Sequence, residues 1–218
     1  MKSLGRKISR AISSVSASDV ESTESIPVIY RPADLHSLCE KTKFTKTEIQ
    51  SLYRCFKSTS PYGTINLNQF QQIFATLFPA GNSKNYSRCI FKAFDVDGNG
   101  YISFEDLLIG MSAILRGDIT EKLTWVFSVY DTDNSGFLTK SNISQVVSSL
   151  YELLGTHVDP AVEIDTVKFH SDCVFKKLSN SSSSSIYFED FLSACMQDPT
   201  IMNSLAAIEG RLVHADEE

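Results

Sequence analysis

The sequence predicts an all-α fold of four helix–loop–helix units arranged in two lobes. Apolar residues recur at the helical spacing i, i+3, i+4 and i+7 on both sides of four polar stretches. Those stretches begin at Ser58, Asp95, Asp131 and Ser179, which gives intervals of 37, 36 and 48 residues. Of the 218 residues, 42% are hydrophobic and 11% are aromatic. Such a chain can bury a sizeable core, so disorder throughout is excluded.

Eight apolar stripes define the predicted helices, with one stripe on each side of each polar stretch. The residues of a stripe share one helical face, which is the face expected to pack against a core. The long third interval contains Gly155 and Pro160, and these residues indicate an inserted connection. In chain order the stripes are Ile49, Leu52, Tyr53 and Phe56; Phe70, Ile73, Phe74 and Leu77; Ile90, Phe91 and Phe94; Leu107, Leu108, Met111, Ile114 and Leu115; Leu123, Val126, Phe127 and Tyr130; Ile143, Val146, Val147 and Leu150; Val174, Phe175 and Leu178; and Phe191, Leu192 and Cys195.

Two of the four loops have the residue pattern of a cation site. Residues 95–106 and 131–142 place oxygen-bearing side chains at positions 1, 3, 5, 9 and 12, glycine at position 6 and an aliphatic residue at position 8. A hard cation such as Ca²⁺ takes about six to eight oxygen ligands, and the EF-hand loop wraps them around one point. The predicted ligands, with position 7 binding through its carbonyl, are Asp95, Asp97, Asn99, Tyr101, Ser103 and Asp106 in the second hand and Asp131, Asp133, Ser135, Phe137, Thr139 and Asn142 in the third.

The residue at position 12 predicts weak metal binding. In the second hand it is Asp106 instead of a bidentate glutamate, and its shorter arm favours Mg²⁺ over Ca²⁺. In the third hand it is the neutral Asn142, so the expected affinity is roughly 10⁻⁵ M or poorer. The loops at 58–69 and 179–190 lack acidic ligands apart from Asp190, and we expect them to bind no metal. The chain should therefore hold at most two weak Ca²⁺ sites, or Mg²⁺ in the second hand.

The pairing of neighbouring loops gives the predicted domain organisation. Ile102 and Leu138, at position 8, are expected to join neighbouring loops through short two-residue β bridges. The predicted parts are a variable basic and serine-rich segment (1–30), an N-terminal lobe with a degenerate first hand and the second hand (31–116), a C-terminal lobe with the third hand and a degenerate fourth hand (117–198), and a C-terminal helix and tail (199–218).

Several short motifs between residues 31 and 205 form a family pattern. They include Arg31-Pro32-x-x-Leu35, Phe44-Thr45-Lys46, Phe78-Pro79-x-Gly81, Ser103-Phe104-Glu105-Asp106, Leu115-Arg116-Gly117 and Ile201-Met202. With these motifs, with Pro61 in the first loop and with Asp106 at position 12 of the second, the chain resembles the neuronal calcium sensor family and, within it, the Kv channel-interacting proteins (KChIPs). In KChIPs the third and fourth hands are normally the Ca²⁺ sites, so the ligands missing here depart from the family pattern.

The resemblance implies a non-enzymatic auxiliary subunit of Shal-type (A-type) voltage-gated potassium channels. KChIPs clasp the apolar N-terminal segment of the channel in a hydrophobic groove, and a side patch contacts the tetramerisation domain of a neighbouring channel subunit. Leu35, Tyr53 and Lys57 match the side patch. Each of the predicted groove residues, taken by itself, is more typical of an ordinary core residue. The groove is therefore predicted from the whole set together. The set comprises Phe70, Phe74, Phe91, Phe94, Leu115, Trp125, Tyr130, Val147 and Tyr151. A C-terminal stripe can fill the groove when no partner is bound; it comprises Ile201, Met202, Leu205, Ile208 and Leu212.

The charge distribution singles out the N-terminal segment. Residues 1–20 carry a net charge of +3 and the remainder −9, within a chain whose formal net charge is −6. An apolar stripe in this segment permits either an amphipathic helix on an anionic membrane surface (residues 1–15) or a flexible tail. Lys2 excludes N-myristoylation, and no apolar run is long enough for a signal peptide or a membrane span. We expect a cytoplasmic protein, peripheral at the plasma membrane through its channel partner.

Two other functions are compatible with such a fold. The first is a calcium-switched sensor acting on a kinase or cyclase, which the missing position-12 glutamates disfavour. The second is a calsenilin-like transcriptional repressor, which the acidic body disfavours, since nucleic-acid binding needs a basic surface. An enzyme is not expected, because the four histidines are scattered and no glycine-rich phosphate loop is present.

Overall fold

The computed structural model describes residues 30, 32–155, 164–179 and 184–205, and all statements on the structure refer to these residues. The elements with defined bounds are α1 (Leu35–Lys41), α2 (Lys46–Thr59), β1 (Thr64–Asn66), α3 (Leu67–Leu77), α4 (Lys84–Phe94), β2 (Tyr101–Ser103), α5 (Phe104–Arg116), α6 (Ile119–Tyr130), β3 (Phe137–Thr139), α7 (Lys140–Leu154), α8 (Ile164–Leu178), β4 (Ser185–Tyr187) and α9 (Phe188–Gln197). Residues 199–205 are also helical. The all-α prediction is confirmed, and α2 to α9 are the eight helices expected from the apolar stripes.

The loops pair as two antiparallel strand pairs, one in each lobe. Ile65 faces Ile102 in the β1–β2 pair, and Leu138 faces Ile186 in the β3–β4 pair. All four residues occupy position 8 of their loops and are at most 2% exposed. The pairing through position 8 is therefore confirmed. The expected two-residue bridges are three-residue strands, because the register extends to one further residue pair on each side.

Positions 9 and 12 of three loops also start the exit helices. In each case the position-9 side chain accepts the backbone N–H of position 12, and the position-12 side chain accepts the backbone N–H of position 9, which forms a capping box. A helix start of this kind satisfies backbone donors that would otherwise lack partners. The position 9 and 12 pairs are Asn66 and Gln69 before α3, Ser103 and Asp106 before α5, and Thr139 and Asn142 before α7.

The core of the N-terminal lobe extends into the C-terminal lobe. Val129 of α6 and Val146 of α7 belong to the same buried cluster as the phenylalanines of α3, α4 and α5. At the other end of α7, the backbone N–H of Asn82 donates to the Glu152 carbonyl at 2.8 Å. Gly81 lies so close to α7 that an added Cβ would meet the Leu153 carbonyl oxygen at 1.9 Å. Gly81 and Asn82 thus contact the end of α7 and join the two lobes.

Some sequence predictions fall outside the described residues. These are the N-terminal amphipathic stripe, Pro160, and the last two members of the C-terminal stripe, Ile208 and Leu212. Ile201 and Leu205 of that stripe are described, and both pack against the core of the C-terminal lobe. Among the described helices, none combines the length and hydropathy needed to cross a bilayer.

Candidate metal and partner sites

The loop of the second hand is wound around its first carboxylate. Asp95 Oδ1 accepts the backbone N–H of Asn99 at 3.0 Å, and Oδ2 accepts the backbone N–H of Gly100 at 2.9 Å. Gly98 and Gly100 supply the positive φ angles of this turn, +67° and +83°. Partial burial raises the pKa of Asp95, against the lowering effect of the Gly100 N–H. Position 1 is therefore held at the centre of the loop.

The other side chains of the second hand leave oxygen atoms for a cation. Asn99 Nδ2 donates to Asp97 Oδ2 at 2.7 Å, and Asp106 Oδ2 accepts the backbone N–H and the hydroxyl of Ser103 at 2.9 and 2.6 Å. Asp106 Oδ1 has no hydrogen bond to any residue that the structure describes. Three carboxylates, an amide oxygen, a hydroxyl and the Tyr101 carbonyl are the donor types that a hard cation prefers, although the three described carboxylates are not gathered around one point in this structure.

The loop of the third hand has the same winding. Asp131 accepts the backbone N–H of Ser135 on Oδ1 and that of Gly136 on Oδ2, both at 2.9 Å. Asn134 and Gly136 adopt positive φ angles of 56° and 80°. The Ser135 hydroxyl donates to the Phe137 carbonyl at 2.9 Å, so position 5 already bonds the position-7 oxygen. The nearby Ser135 side chain is the main cause that lowers the pKa of Asp133.

Position 12 of the third hand does not fit a cation. Asn142 is 4% exposed, and its Oδ1 accepts the backbone N–H of Thr139 at 2.9 Å and the Thr139 hydroxyl. Its Nδ2 donates to Thr132 Oγ1 at 3.1 Å and to Asp133 Oδ1 at 3.3 Å. The predicted sixth ligand therefore offers its only oxygen to Thr139 and turns its N–H groups towards the acidic position 3.

The carboxylates of both loops accept hydrogen bonds from N–H and O–H groups of their own loops. In the part of the chain that the structure describes, no three His, Cys, Asp or Glu side chains lie close enough together to hold an ion. In the first hand, the Lys57 ammonium, in the last turn of α2, donates to the Pro61 carbonyl of the following loop at 2.6 Å. Lys57, which the resemblance assigns to a partner patch, thus also closes the first loop.

A continuous series of aromatic rings connects the two lobes, and we call it the aromatic row. It runs from Phe78 to Phe74 (ring centroids 5.6 Å apart), to Phe70 (5.1 Å), to Phe94 (6.2 Å) and to Trp125 of α6 (5.6 Å). Phe78 is 42% exposed, whereas Phe70 and Phe94 are buried. The Trp125 indole N–H is buried and has no hydrogen-bond partner among the residues that the structure describes. The row therefore begins at the surface of one lobe and ends in a helix of the other.

Four of the predicted groove residues are core residues in this structure. Phe70, Phe91 and Phe94 lie in the buried cluster where α4 packs against α3, α6 and α7, and Val147 lies in the buried cluster of the C-terminal lobe; all four are 5–7% exposed. They are core residues and not the open wall that was expected. The remaining groove residues are partly exposed, namely Phe74, Leu115, Trp125, Tyr130 and Tyr151.

The predicted side patch lies against the core of the N-terminal lobe. Leu35 and Tyr53 are partly buried there, and the Tyr53 ring meets Phe104 edge to face with centroids 5.0 Å apart. Sequence reasoning did not include Phe78 and Tyr86, which both contact the Phe74 ring. The exposed Phe78 had a signal in the sequence, since it opens the Phe78-Pro79 motif at the end of α3.

A comparison with models of protein families matches residues 88–114 to the EF hand domain. The chain contains an EF-hand domain. The matched segment covers the second half of α4, the whole Asp95–Asp106 loop and most of α5, which is the hand whose donor types suit a cation. The match supports a calcium-binding EF-hand family, whose members are typically regulatory and not catalytic.

Proposed function

We propose that this EF-hand protein is a non-enzymatic regulatory subunit that modulates Shal-type voltage-gated potassium channels, with weak or reduced calcium dependence. The observation that carries the proposal is the aromatic row. Contiguous apolar side chains that reach the surface are what an apolar peptide helix needs for docking. The row is also continuous across both lobes, so one bound segment would contact each of them.

In this proposal the N-terminal segment of the channel binds along the exposed start of the row. Phe78 and Phe74 make the first contacts, and the buried Phe70 becomes part of the site when neighbouring side chains move apart. Ile201 and Leu205 already pack against the C-terminal lobe, so the C-terminal helix is a candidate cover that the channel segment would displace.

The contacts between the lobes support the reduced calcium dependence. The Lys92 ammonium of α4 donates to the Thr132 carbonyl of the third loop, and Asn82 and Asn85 both donate to the Glu152 carboxylate of α7. None of these contacts needs an ion. The arrangement that presents the aromatic row is therefore stabilised without Ca²⁺.

A second candidate is a calcium-switched sensor that acts on a kinase or cyclase. It is favoured by one observation, the donor set of the second hand, in which Asp106 Oδ1 has no hydrogen-bond partner within the described part of the chain. Such a sensor requires Ca²⁺ to bind one conformation more tightly than the other. The two candidates therefore differ in the calcium dependence of partner binding.

The test is a binding titration with a synthetic peptide of the channel N-terminal segment, in EGTA, in Mg²⁺ and in Ca²⁺. We expect similar affinity under all three conditions. Phe78→Ser should weaken binding by about tenfold or more, since an aromatic anchor is lost. Phe169→Ser is the matched control, because Phe169 is 65% exposed on α8 and lies outside the row.

Co-expression with a Shal-type channel provides the functional readout. The expected result is a larger surface current and slower inactivation. The proposal is wrong if the wild-type protein binds no channel peptide under any condition, or if both serine variants weaken binding equally. Binding that appears only with Ca²⁺ would instead support the calcium-switched sensor.

A further inference from the structure

We propose that the Asn142 side chain locks the third hand in its folded conformation, takes the place of the metal ligand at position 12 and makes this loop insensitive to Ca²⁺. The inference concerns the loop alone and holds with any partner. A loss of charged ligands would only weaken Ca²⁺ binding. Here Asn142 also stabilises the metal-free loop.

The groups around Asn142 determine the orientation of its side-chain amide. The backbone N–H of Thr139 points at the Asn142 side chain at 2.9 Å and needs an acceptor, so Oδ1 must face it. The NH₂ group then faces Thr132 Oγ1 and Asp133 Oδ1, which both accept. The neighbouring groups therefore determine which end of the amide points into the loop.

Replacing this arrangement by a cation has a cost. Asn142 is buried, and both ends of its amide are hydrogen-bonded. A cation at the loop centre would displace the N–H donor from Asp133 and gain a neutral, already engaged oxygen in return. Because buried polar groups are costly to leave without partners, this exchange is unfavourable.

The second hand provides a comparison inside the same chain. Asp106 occupies the equivalent position, and its Oδ2 accepts the backbone N–H and hydroxyl of Ser103 as Asn142 Oδ1 accepts those of Thr139. The difference is the second atom of the side chain. In Asp106 it is an oxygen that can bind a cation, and in Asn142 it is a nitrogen that donates to Asp133.

Thr132 connects the lock to the other lobe. Thr132 is 8% exposed, and its hydroxyl accepts from Asn142 and donates to Gln145 Oε1 at 2.9 Å. Its carbonyl accepts from the Lys92 ammonium of α4. The Asn142 amide therefore stabilises the residue through which the third loop contacts the N-terminal lobe.

The test uses the full chain without a partner and follows the backbone amides of Gly100 and Gly136 by NMR. These amides are equivalent, since each donates to the position-1 carboxylate of its loop at 2.9 Å. In the wild-type protein, about 1 mM free Ca²⁺ should leave the Gly136 amide resonance unchanged. In Asn142→Asp, which restores a third carboxylate, the Gly136 resonance should move, with at least about tenfold tighter binding at this loop.

The metal-free state provides the second readout. In EGTA, Asn142→Asp should lower the Tm by about 2–4 °C, because the side chain loses its donors and places a charge beside Asp133. Asn134→Asp is the matched control. It adds the same charge next to Asp133 but keeps the Asn142 amide and its hydrogen bonds. The Tm should therefore fall less than in Asn142→Asp, and the Ca²⁺ response of Gly136 should stay as in wild type.

The proposal is overturned if the wild-type Gly136 amide responds to Ca²⁺ at or below about 1 mM, or if Asn142→Asp binds no better than wild type. If Asn142→Asp does not fold, hydrogen exchange of the wild-type Thr139 amide decides. Slow exchange in EGTA supports the lock, and exchange as fast as that of an exposed loop amide refutes it. No channel peptide is present, so this result is independent of the partner proposal.

Discussion

The Arg116 guanidinium joins three parts of the N-terminal lobe at the last turn of α5. Its Nη1 and Nη2 donate to the two Glu48 carboxylate oxygens of α2 at 3.0 and 2.5 Å, and Nη1 also donates to the Lys43 carbonyl at 2.5 Å. The guanidinium also lies 4.7 Å above the Phe44 ring. A lysine ammonium cannot reproduce this fork, so Arg116→Lys should destabilise the fold although the charge is kept.

The pKa of Glu48 gives the size of the effect. Partial burial raises this pKa. The hydrogen bonds from Arg116 and Thr45 have a larger, opposite effect, so the pKa falls from its usual 4.5 to about 2. That shift corresponds to about 3 kcal/mol of stability. Part of the shift comes from Thr45, which the variant keeps, and both side chains keep some exposure; Arg116 therefore contributes about 1–2 kcal/mol after solvent screening. For a chain of this size the Tm should fall by about 2–8 °C.

The pH dependence distinguishes this ion pair from a packing defect. Since the pKa of Glu48 is lower in the folded state, its contribution is fully present above pH 4.5 and is lost as the pH falls towards 2. The difference in Tm between wild type and Arg116→Lys should therefore be largest near pH 7 and shrink below pH 4.5.

Thermal unfolding followed by circular dichroism, at several pH values between 3 and 7, measures this difference. Lys140→Met is the control, because it removes the exposed pair with Asp172 and should change the Tm little. An Arg116→Lys variant as stable as wild type at pH 7 would refute the reasoning. So would a loss of stability that stays the same at every pH.

Two further predictions concern the second hand and the junction of the lobes. Asp106→Glu should strengthen Ca²⁺ binding at the second hand by about tenfold or more in calorimetry, because it restores the longer bidentate arm. Asp190→Glu, the same change in the fourth loop, should have no effect, and equal titrations for wild type and Asp106→Glu would contradict the assigned ligands. Gly81→Ala should destabilise the protein by about 1–3 kcal/mol, since its Cβ meets the backbone of α7 at 1.9 Å. The exposed neighbour Ala80→Ser is its control in thermal unfolding, and equal Tm values for the two variants would exclude the proposed clash.

Local patterns in the sequence were sufficient to predict most of the fold. The apolar stripes predicted α2 to α9 because helical periodicity follows from one face packing against a core. The short α1 was missed, since its seven residues bury only Leu38, although Asp34 accepts the N–H groups of His36 and Ser37 as an N-cap. A helix with one buried residue carries too little periodicity to be recognised.

The partner and metal sites depend on information that periodicity does not contain. A stripe shows that Phe70, Phe91 and Phe94 lie on an apolar face, but only the packing of α4 against helices of both lobes decides that they are covered. In the same way, the sequence shows a neutral Asn142 at position 12. Which of its atoms faces the loop depends on the Thr139 N–H, and therefore on the folded backbone.

The double role of positions 9 and 12 explains how the first and third hands keep their fold although they lack a carboxylate ligand at position 12. The first hand has no carboxylate ligand, yet Asn66 and Gln69 still form a capping box, with N–H to oxygen distances of 2.9 and 3.0 Å. A capping residue is worth about 1 kcal/mol whether or not a cation is bound. Position 12 therefore keeps an oxygen that accepts the N–H at the start of the exit helix, whether it is Asp106, Asn142 or Gln69. The other terminal atom of the side chain is an oxygen in Asp106 and a nitrogen in the two amides. Because the helix start needs one acceptor and the cation needs the other atom, position 12 can cap the exit helix whether or not it can bind Ca²⁺.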